Sequence, residues 1–269
     1  MTTMQPLADW QHDSVTQTQG IFADIDDTLT TDGRVPAIVF DAMERLRARG
    51  LLVIPITGRP SGWCDMIART WPVDAVVGEN GALAFRFDAG SRTMQRLYVD
   101  TLSVRARNRE RLSVIEEEVL SSVTGVQVAA DQLYRETDLA IDFNEDVQGV
   151  PTSAIDEVLT IFEKHGATAK VSSIHVNGWF GDYDKLTMTK RLMAEIFDTD
   201  LDDGVGQYAY IGDSPNDAPM FKYFPNAVGV ANLRELQDRC PDLPAWITPS
   251  ERSAGFVELA ETILGSLKL

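Results

Sequence analysis

Short, uninterrupted apolar runs alternate along the chain with stretches where apolar residues recur every three or four positions. Ile21-Phe22-Ala23 is the first run, and it ends abruptly in Asp24-Ile25-Asp26-Asp27-Thr28. A strand apolar on both faces belongs inside a parallel sheet. Residues 36–49 follow, with Ile38, Val39, Ala42, Met43 and Leu46 at helical spacing, opened by Pro36 and stopped by Gly50. Residues 51–56 form a second buried run, ending in Thr57-Gly58-Arg59. A helix over 61–70 and a strand over 75–77 come next, before Glu79-Asn80-Gly81. This alternation predicts a parallel sheet with right-handed crossovers.

The rhythm then changes. Residues 82–87 and 94–99 read as a hairpin, 105–122 as a charged amphipathic helix, and 126–130 and 139–143 as strands. A helix over 152–165 and strands over 167–172 and 174–180 complete a mixed α+β pattern. The doubly wound pattern resumes with a helix over 186–197 and a strand over 208–211 ending in Gly212-Asp213-Ser214-Pro215-Asn216-Asp217. A short helix through Met220 and Phe221, strands over 227–230 and 245–248, and a helix over 256–267 follow. The expected fold is α/β: a Rossmann-like, doubly wound parallel-sheet core (20–87 and 179–269) with a smaller α+β domain inserted at 88–178. Residues 1–19, in which Gln, Thr, Asp and Ser predominate, predict a loose tail.

Composition narrows the partners. The 269 residues are 44% hydrophobic and 24% charged, ordinary for a globular protein. No apolar stretch approaches the ~20 residues of a membrane span. Cys64 and Cys240 make neither a metal spacing nor a disulfide framework, so a reducing, cytoplasmic location is expected. A net charge of −17 argues against nucleic acid and against an anionic membrane surface as partners. An anionic substrate would need positive charge supplied locally.

The acidic loop after the first strand admits three readings. Asp24 and Asp26 sit at the carboxyl end of a predicted strand, where open α/β sheets carry their reactive groups. Two residues apart on extended chain, they point the same way, roughly 6–7 Å apart. Asp24 is placed to attack a phosphorus atom and Asp26 to handle the proton of the leaving group. A polar turn is the bland alternative. A calcium loop is excluded: position six is Leu29 where Gly is required, and position twelve is Val35 where Glu is required.

Further motifs decide between the two that remain. Thr57-Gly58-Arg59, Lys185 and Gly212-Asp213-Ser214-Pro215-Asn216-Asp217 follow in order, each at a predicted strand end or helix start. With Asp24-x-Asp26-x-Thr28 they resemble the haloacid dehalogenase (HAD) superfamily of phosphohydrolases. The insertion between the second and third motifs, preceded by Glu79-Asn80-Gly81-Ala82, resembles the type II caps of the Cof-like, sucrose-phosphatase-like and phosphomannomutase-like branches.

That resemblance implies a role for each residue. Asp24 is the expected nucleophile, forming an aspartyl phosphate; Asp26 is the expected general acid and then base. Thr28 braces the loop, Thr57 donates a hydrogen bond to the phosphoryl group, and Lys185 offsets its charge. The implied cofactor is Mg²⁺, held directly by the Asp24 carboxylate, the Asp26 backbone carbonyl and Asp213, and through water by Asp217 and Asn216. So many acidic groups at one sheet edge repel unless a cation sits among them. Asp27 stands where many relatives carry Gly, and Leu186 where Gly is frequent, which leaves Lys190 as the fallback lysine. Gly58, Arg59, Asn80, His175, Asn177 and Trp179, with Arg135, are the candidate substrate contacts, though Trp or His on a sheet reads equally as packing. The expected activity is a Mg²⁺-dependent phosphatase acting on a small phosphorylated metabolite, a sugar or sugar-like phosphate. A phosphomutase of the same fold and a catalytically silent metal-binding module are the alternatives.

Overall fold

Alternation within the buried strands sets the architecture. The computed structural model describes residues 4–267. In chain order it begins with β1 (Gln5–Pro6), α1 (His12–Thr16), β2 (Gly20–Ala23), α2 (Ala37–Ala48), β3 (Leu52–Pro55), α3 (Ser61–Thr70) and β4 (Val76–Gly78). A hairpin of β5 (Leu83–Asp88) and β6 (Thr93–Tyr98) leads to α4 (Leu102–Ser122), β7 (Gln127–Val128) and β8 (Asp138–Asp142). Then come α5 (Thr152–Lys164), β9 (Thr168–Val171), β10 (His175–Trp179) and α6 (Lys185–Phe197). The chain continues through α7 (Leu201–Gly204), β11 (Tyr208–Gly212), α8 (Ala218–Tyr223), β12 (Asn226–Gly229), β13 (Trp246–Ile247) and α9 (Arg252–Ser266).

Six strands form one parallel sheet in the order β1-β13-β12-β11-β2-β3. Ile21, Ala23, Val53, Ala209 and Ile211 face α2 and α9 on one side. Phe22, Ile54, Tyr208 and Tyr210 face α6 and α8 on the other. Both faces are therefore covered, as a parallel sheet requires. Among the described residues, no helix is long and apolar enough to cross a membrane. Cys64 and Cys240 are free, buried thiols.

The second sheet uses its faces differently. β7-β8-β10-β9 is four-stranded and antiparallel. Leu139, Ile141 and Val176 pack against α4 and α5. Their alternates Asp138, Asp142, His175 and Asn177 are buried too, and polar. At Gly178 a Cβ would stand 2.1 Å from the Phe162 ring, so only glycine lets α5 lie this close.

Two expectations are corrected. Residues 4–19 are no loose tail: β1 pairs with β13, and Leu7, Trp10 and Val15 are buried in the core. Apolar residues spaced among polar ones suffice to anchor the segment; residues 1–3 lie outside the described residues. The expected hairpin is present, β5 with β6, but β5 also pairs with β4 beside the parallel sheet, so this hairpin packs with the core and not with the insertion drawn from residue 88. The mixed layer thus begins after Tyr98.

Candidate active site

The loop after β2 is built by its backbone. Asp24 N–H donates to the Ile211 carbonyl at 2.9 Å, so the residue continues the pairing of β2 with β11. Leu29 and Thr30 N–H then both donate to the Ile25 carbonyl, at 2.9 and 3.0 Å, closing a tight turn. Asp27 lies within it at φ +54°. This left-handed conformation is natural for glycine and tolerated by Asp, which accounts for the acidic residue there. Thr30, rather than Thr28, braces the loop: its hydroxyl accepts from Asp27 N–H at 2.9 Å. The Thr28 hydroxyl is buried with no hydrogen-bond partner among the described residues.

Lys185 is the first residue of α6, whose N-cap is Asp184. The turn at residues 79–81 seats this end. Gly81, at φ +103°, comes so near that a Cβ would lie 2.0 Å from the Asp184 carbonyl oxygen. The fully buried Lys185 ammonium reaches the Asp24 and Asp217 carboxylates, each at 2.6 Å. Asp217 is further held by the Tyr210 hydroxyl and by Asp213 and Ser214 N–H at 3.0 and 3.1 Å. Its oxygens are thus committed to protein donors. One carboxylate oxygen from each of Asp24, Asp213 and Asp217 lies within 4.8 Å of the other two. Lys190, the fallback, is half-exposed and pairs with Asp202 at 2.6 Å, outside this cluster.

Asp26 faces a second cation. The Arg59 guanidinium meets it at 2.7–3.0 Å through Nε and Nη2, and also meets Glu145 at 2.6 Å and Asp131 at 3.2 Å. Arg59 is therefore an ion-pair centre between the two sheets rather than a free anion contact. Thr57 Oγ1 accepts from Arg59 N–H at 3.0 Å, shaping that turn. Arg135 is buried between Asp131 and Asp138 and donates to the Gly58 carbonyl at 2.8 Å, so it is a strut.

Asp24, Asp26, Gly58, Arg59, Asn216 and Ser214 line a narrow pocket. From the antiparallel layer His175, Asn177 and the 172–174 turn close it. Asn177 donates to Asp138 at 3.0 Å, and His175 Nε2 lies 2.9 Å from Glu145. Asn80 accepts from Asn216 at 3.2 Å. Trp179 stays out of the pocket: it stacks on Tyr183 with ring centroids 5.6 Å apart, buried beside Ala82. Asp131, Glu145, Tyr210 and the 172–174 turn went unnoticed in the sequence. None of them carries a motif; Asp131 pairs with Arg135 across a short 3-10 turn that the sequence does not mark.

Electrostatics favour a cation in the Asp24 cluster. Burial pushes the Asp24 carboxyl up to about 8 against the pull of Lys185, with Asp217 and Asp26 adding to the rise. Burial likewise raises Asp213 well above the ordinary carboxylate value, with Asp24, Asp217 and Asp27 repelling it. Burial would lower Lys185, but Asp217 and Asp24 raise it above the usual lysine value. Asp213 Oδ1 is buried without a hydrogen-bond partner among the described residues. An unpaired carboxylate oxygen beside a second carboxylate is the donor set a hard divalent cation takes, so the residues fit Mg²⁺.

Residues 21–112 match the haloacid dehalogenase-like hydrolase family model. Most of the chain superposes on solved structures. A trehalose-6-phosphate phosphatase C-terminal domain from C. albicans aligns with TM-score 0.72 at 11% identity, covering 98% of this chain and 99% of that one. A Thermoplasma acidophilum protein aligns at 0.68 and 17% identity, covering 91% and 98%. A Synechocystis sucrose-phosphatase, solved with sucrose and phosphate, aligns at 0.63 and 15% identity, covering 91% and 98%. The fold is that of the haloacid dehalogenase-like hydrolases. Comparison with curated protein sequences gives no match. In haloacid dehalogenase-like terms, the four motifs lie where β2, β3, α6 and β11 converge, and the antiparallel layer covers them.

Proposed function

We propose that the chain is a Mg²⁺-dependent phosphoric monoester hydrolase acting on a small phosphorylated metabolite, a sugar or sugar-like phosphate. One observation carries the reading: Lys185 stands 2.6 Å from Asp24, in a buried cluster whose Asp213 oxygen lacks a partner. An anionic phosphoryl group approaching Asp24 meets an ammonium held in place, with no reorganisation needed. The Asp24 carboxylate attacks phosphorus as the ester P–O bond breaks, and the leaving alkoxide takes a proton from Asp26, which enters this step in its protonated form and leaves it as the carboxylate paired with Arg59. Asp26 then takes a proton from water, whose oxygen attacks phosphorus and releases Asp24 and inorganic phosphate. Asp24, Asp213 and the Asp26 backbone carbonyl would hold the metal, with Asp217 and Asn216 behind them; bound Mg²⁺ supplies charge that offsets the phosphoryl oxygens.

The organic part of the substrate would meet the polar face of β10 and the 172–174 turn. His175, Asn177 and Ser172 line this wall with polar atoms now paired to Glu145, Asp138 and the His175 carbonyl, and these would exchange partners with the hydroxyls of a polyhydroxylated leaving group. The sugar phosphatases among the structural neighbours support this class by analogy. The test is inorganic phosphate release over a panel of phosphorylated metabolites, with Mg²⁺ and with excess EDTA. Release that needs Mg²⁺ and favours sugar phosphates is expected; full turnover in EDTA, with the protein verified metal-free, contradicts the reading.

A further inference from the structure

Asp131 and Glu145 belong to none of the four motifs, yet both reach the Asp26 side of the pocket through one guanidinium. Arg59 is 3% exposed and meets three carboxylates: Asp26 from the β2 loop, Asp131 before β8, and Glu145 after it. Each of the two remote carboxylates is itself held. Asp131 accepts from Arg135 Nε at 2.9 Å, and Arg135 is anchored by Asp138 and by the Gly58 carbonyl. Glu145 sits in a turn whose backbone is tied to the buried Asp142 carboxylate. Asn144, Glu145 and Asp146 N–H donate to it at 2.9, 2.8 and 2.8 Å. His175 Nε2 completes the surround of Glu145 at 2.9 Å. Arg59 also lies over the Trp63 ring, 4.5 Å from its centroid, which leaves the guanidinium little freedom to swing away.

We propose that Asp131 and Glu145 are positioning residues that act through Arg59 on Asp26, so the proton-carrying carboxylate is held in place only when the antiparallel layer is docked. This rests on the phosphatase reading. Two partners of a guanidinium fix its plane, and a fixed fork dictates where the third carboxylate lies. Docking of the layer and alignment of Asp26 are then one event, while Asp24 takes its geometry from the β2 end and Lys185 from α6 and the 79–81 turn. Without the layer, Arg59 loses two of its three carboxylates and Asp26 loses its register.

The consequence separates substrates by leaving group. An alkoxide needs the proton from Asp26; a 4-nitrophenolate leaves without it. Glu145→Gln and Asp131→Asn are compared with the unmodified chain in single-turnover formation of the Asp24 phosphoenzyme, in the presence of Mg²⁺. The substrates are 4-nitrophenyl phosphate and one alkyl phosphate that the unmodified chain hydrolyses. Formation from the alkyl ester falls by about 10-fold or more, and from the aryl ester by less than about 3-fold. Retained aryl reactivity shows that each variant is folded. In an Asp26→Asn background, Glu145→Gln produces no further loss from the alkyl ester, because both changes remove the same function. Equal losses from the two esters, or an additive loss in the double variant, overturn the positioning role and leave the phosphatase reading standing. If the unmodified chain forms no phosphoenzyme from either ester, the reading itself fails and the proposal falls with it.

Discussion

Two buried cations, Lys185 and Arg59, pair with the two aspartates that line the pocket, Asp24 and Asp26, and they are held in opposite ways. Lys185 draws both its carboxylates from loops that follow neighbouring strands of one sheet: Asp24 directly after β2, and Asp217 in the turn after β11. Arg59 draws one carboxylate from that sheet's loop and two from the antiparallel layer. The first arrangement lies within the core; the second exists only across an interface. On the proposed reading, the first would serve the attack on phosphorus and the second the proton transfer to the leaving group. The contrast is then one of which packing unit supplies the counter-ions.

The sharpest way to break this contrast is to remove Lys185. Lys185→Met leaves Asp24 and Asp217 buried without their cation. Turnover should fall roughly 10²–10³-fold. Stability should fall by about 3–5 kcal/mol, measured by urea unfolding. A variant that unfolds at the same urea concentration as the unmodified chain would show that the core does not depend on this pair.

Gly81 tests how Lys185 is seated. Gly81→Val places a Cβ against the Asp184 carbonyl at a left-handed position. A loss of about 3 kcal/mol and reduced turnover are expected. Wild-type values for both would show that α6 is located by its core contacts alone.

The Arg59 side should respond to pH. Burial would raise Glu145, but the hydrogen bonds from His175 and Arg59 hold it down at about 2, against an ordinary 4.5. A depressed folded-state value means the stabilisation is fully present above pH 4.5 and is lost as pH falls toward 2. With Glu145 partly exposed, about 2 kcal/mol is the expected size. Glu145→Gln should flatten that part of the acid-unfolding profile; an unchanged slope between pH 4.5 and 2 would show that the clamp adds nothing.

Much of this contrast was legible beforehand on one side only. Asp24, Asp213, Asp217 and Lys185 sit at strand ends and a helix start, where short motifs and hydrophobic runs mark them in the sequence. The Arg59 partners were hidden because Asp131 and Glu145 lie 72 and 86 residues away, in loops with no motif. Trp179 misled for the opposite reason: alternation along β10 places it on the polar face, but only the structure supplies Tyr183 as its stacking partner. The ordered segment at residues 4–19 was missed because three buried apolar residues among polar ones carry no periodic signal.

Two smaller effects sharpen the comparison. Asp213→Asn removes a repelling carboxylate, so the metal-free protein should gain about 1 kcal/mol at pH 7 while losing the thermal stabilisation that added Mg²⁺ provides. A melting temperature that still rises with Mg²⁺ would place the metal elsewhere. Lys190→Met breaks only a half-exposed pair with Asp202 and should change stability and turnover by less than about 0.5 kcal/mol. A large loss of turnover there would return Lys190 to the active site.

On the proposed reading, Asp24 receives the phosphoryl group. Rapid quenching of the chain with Mg²⁺ and a hydrolysed phosphate ester, followed by peptide mass spectrometry, tests it directly. A single phosphorylated carboxylate is expected at Asp24, absent in Asp24→Asn and absent when the metal is chelated. A phosphoryl group on any other residue, or undiminished turnover by Asp24→Asn, would contradict it.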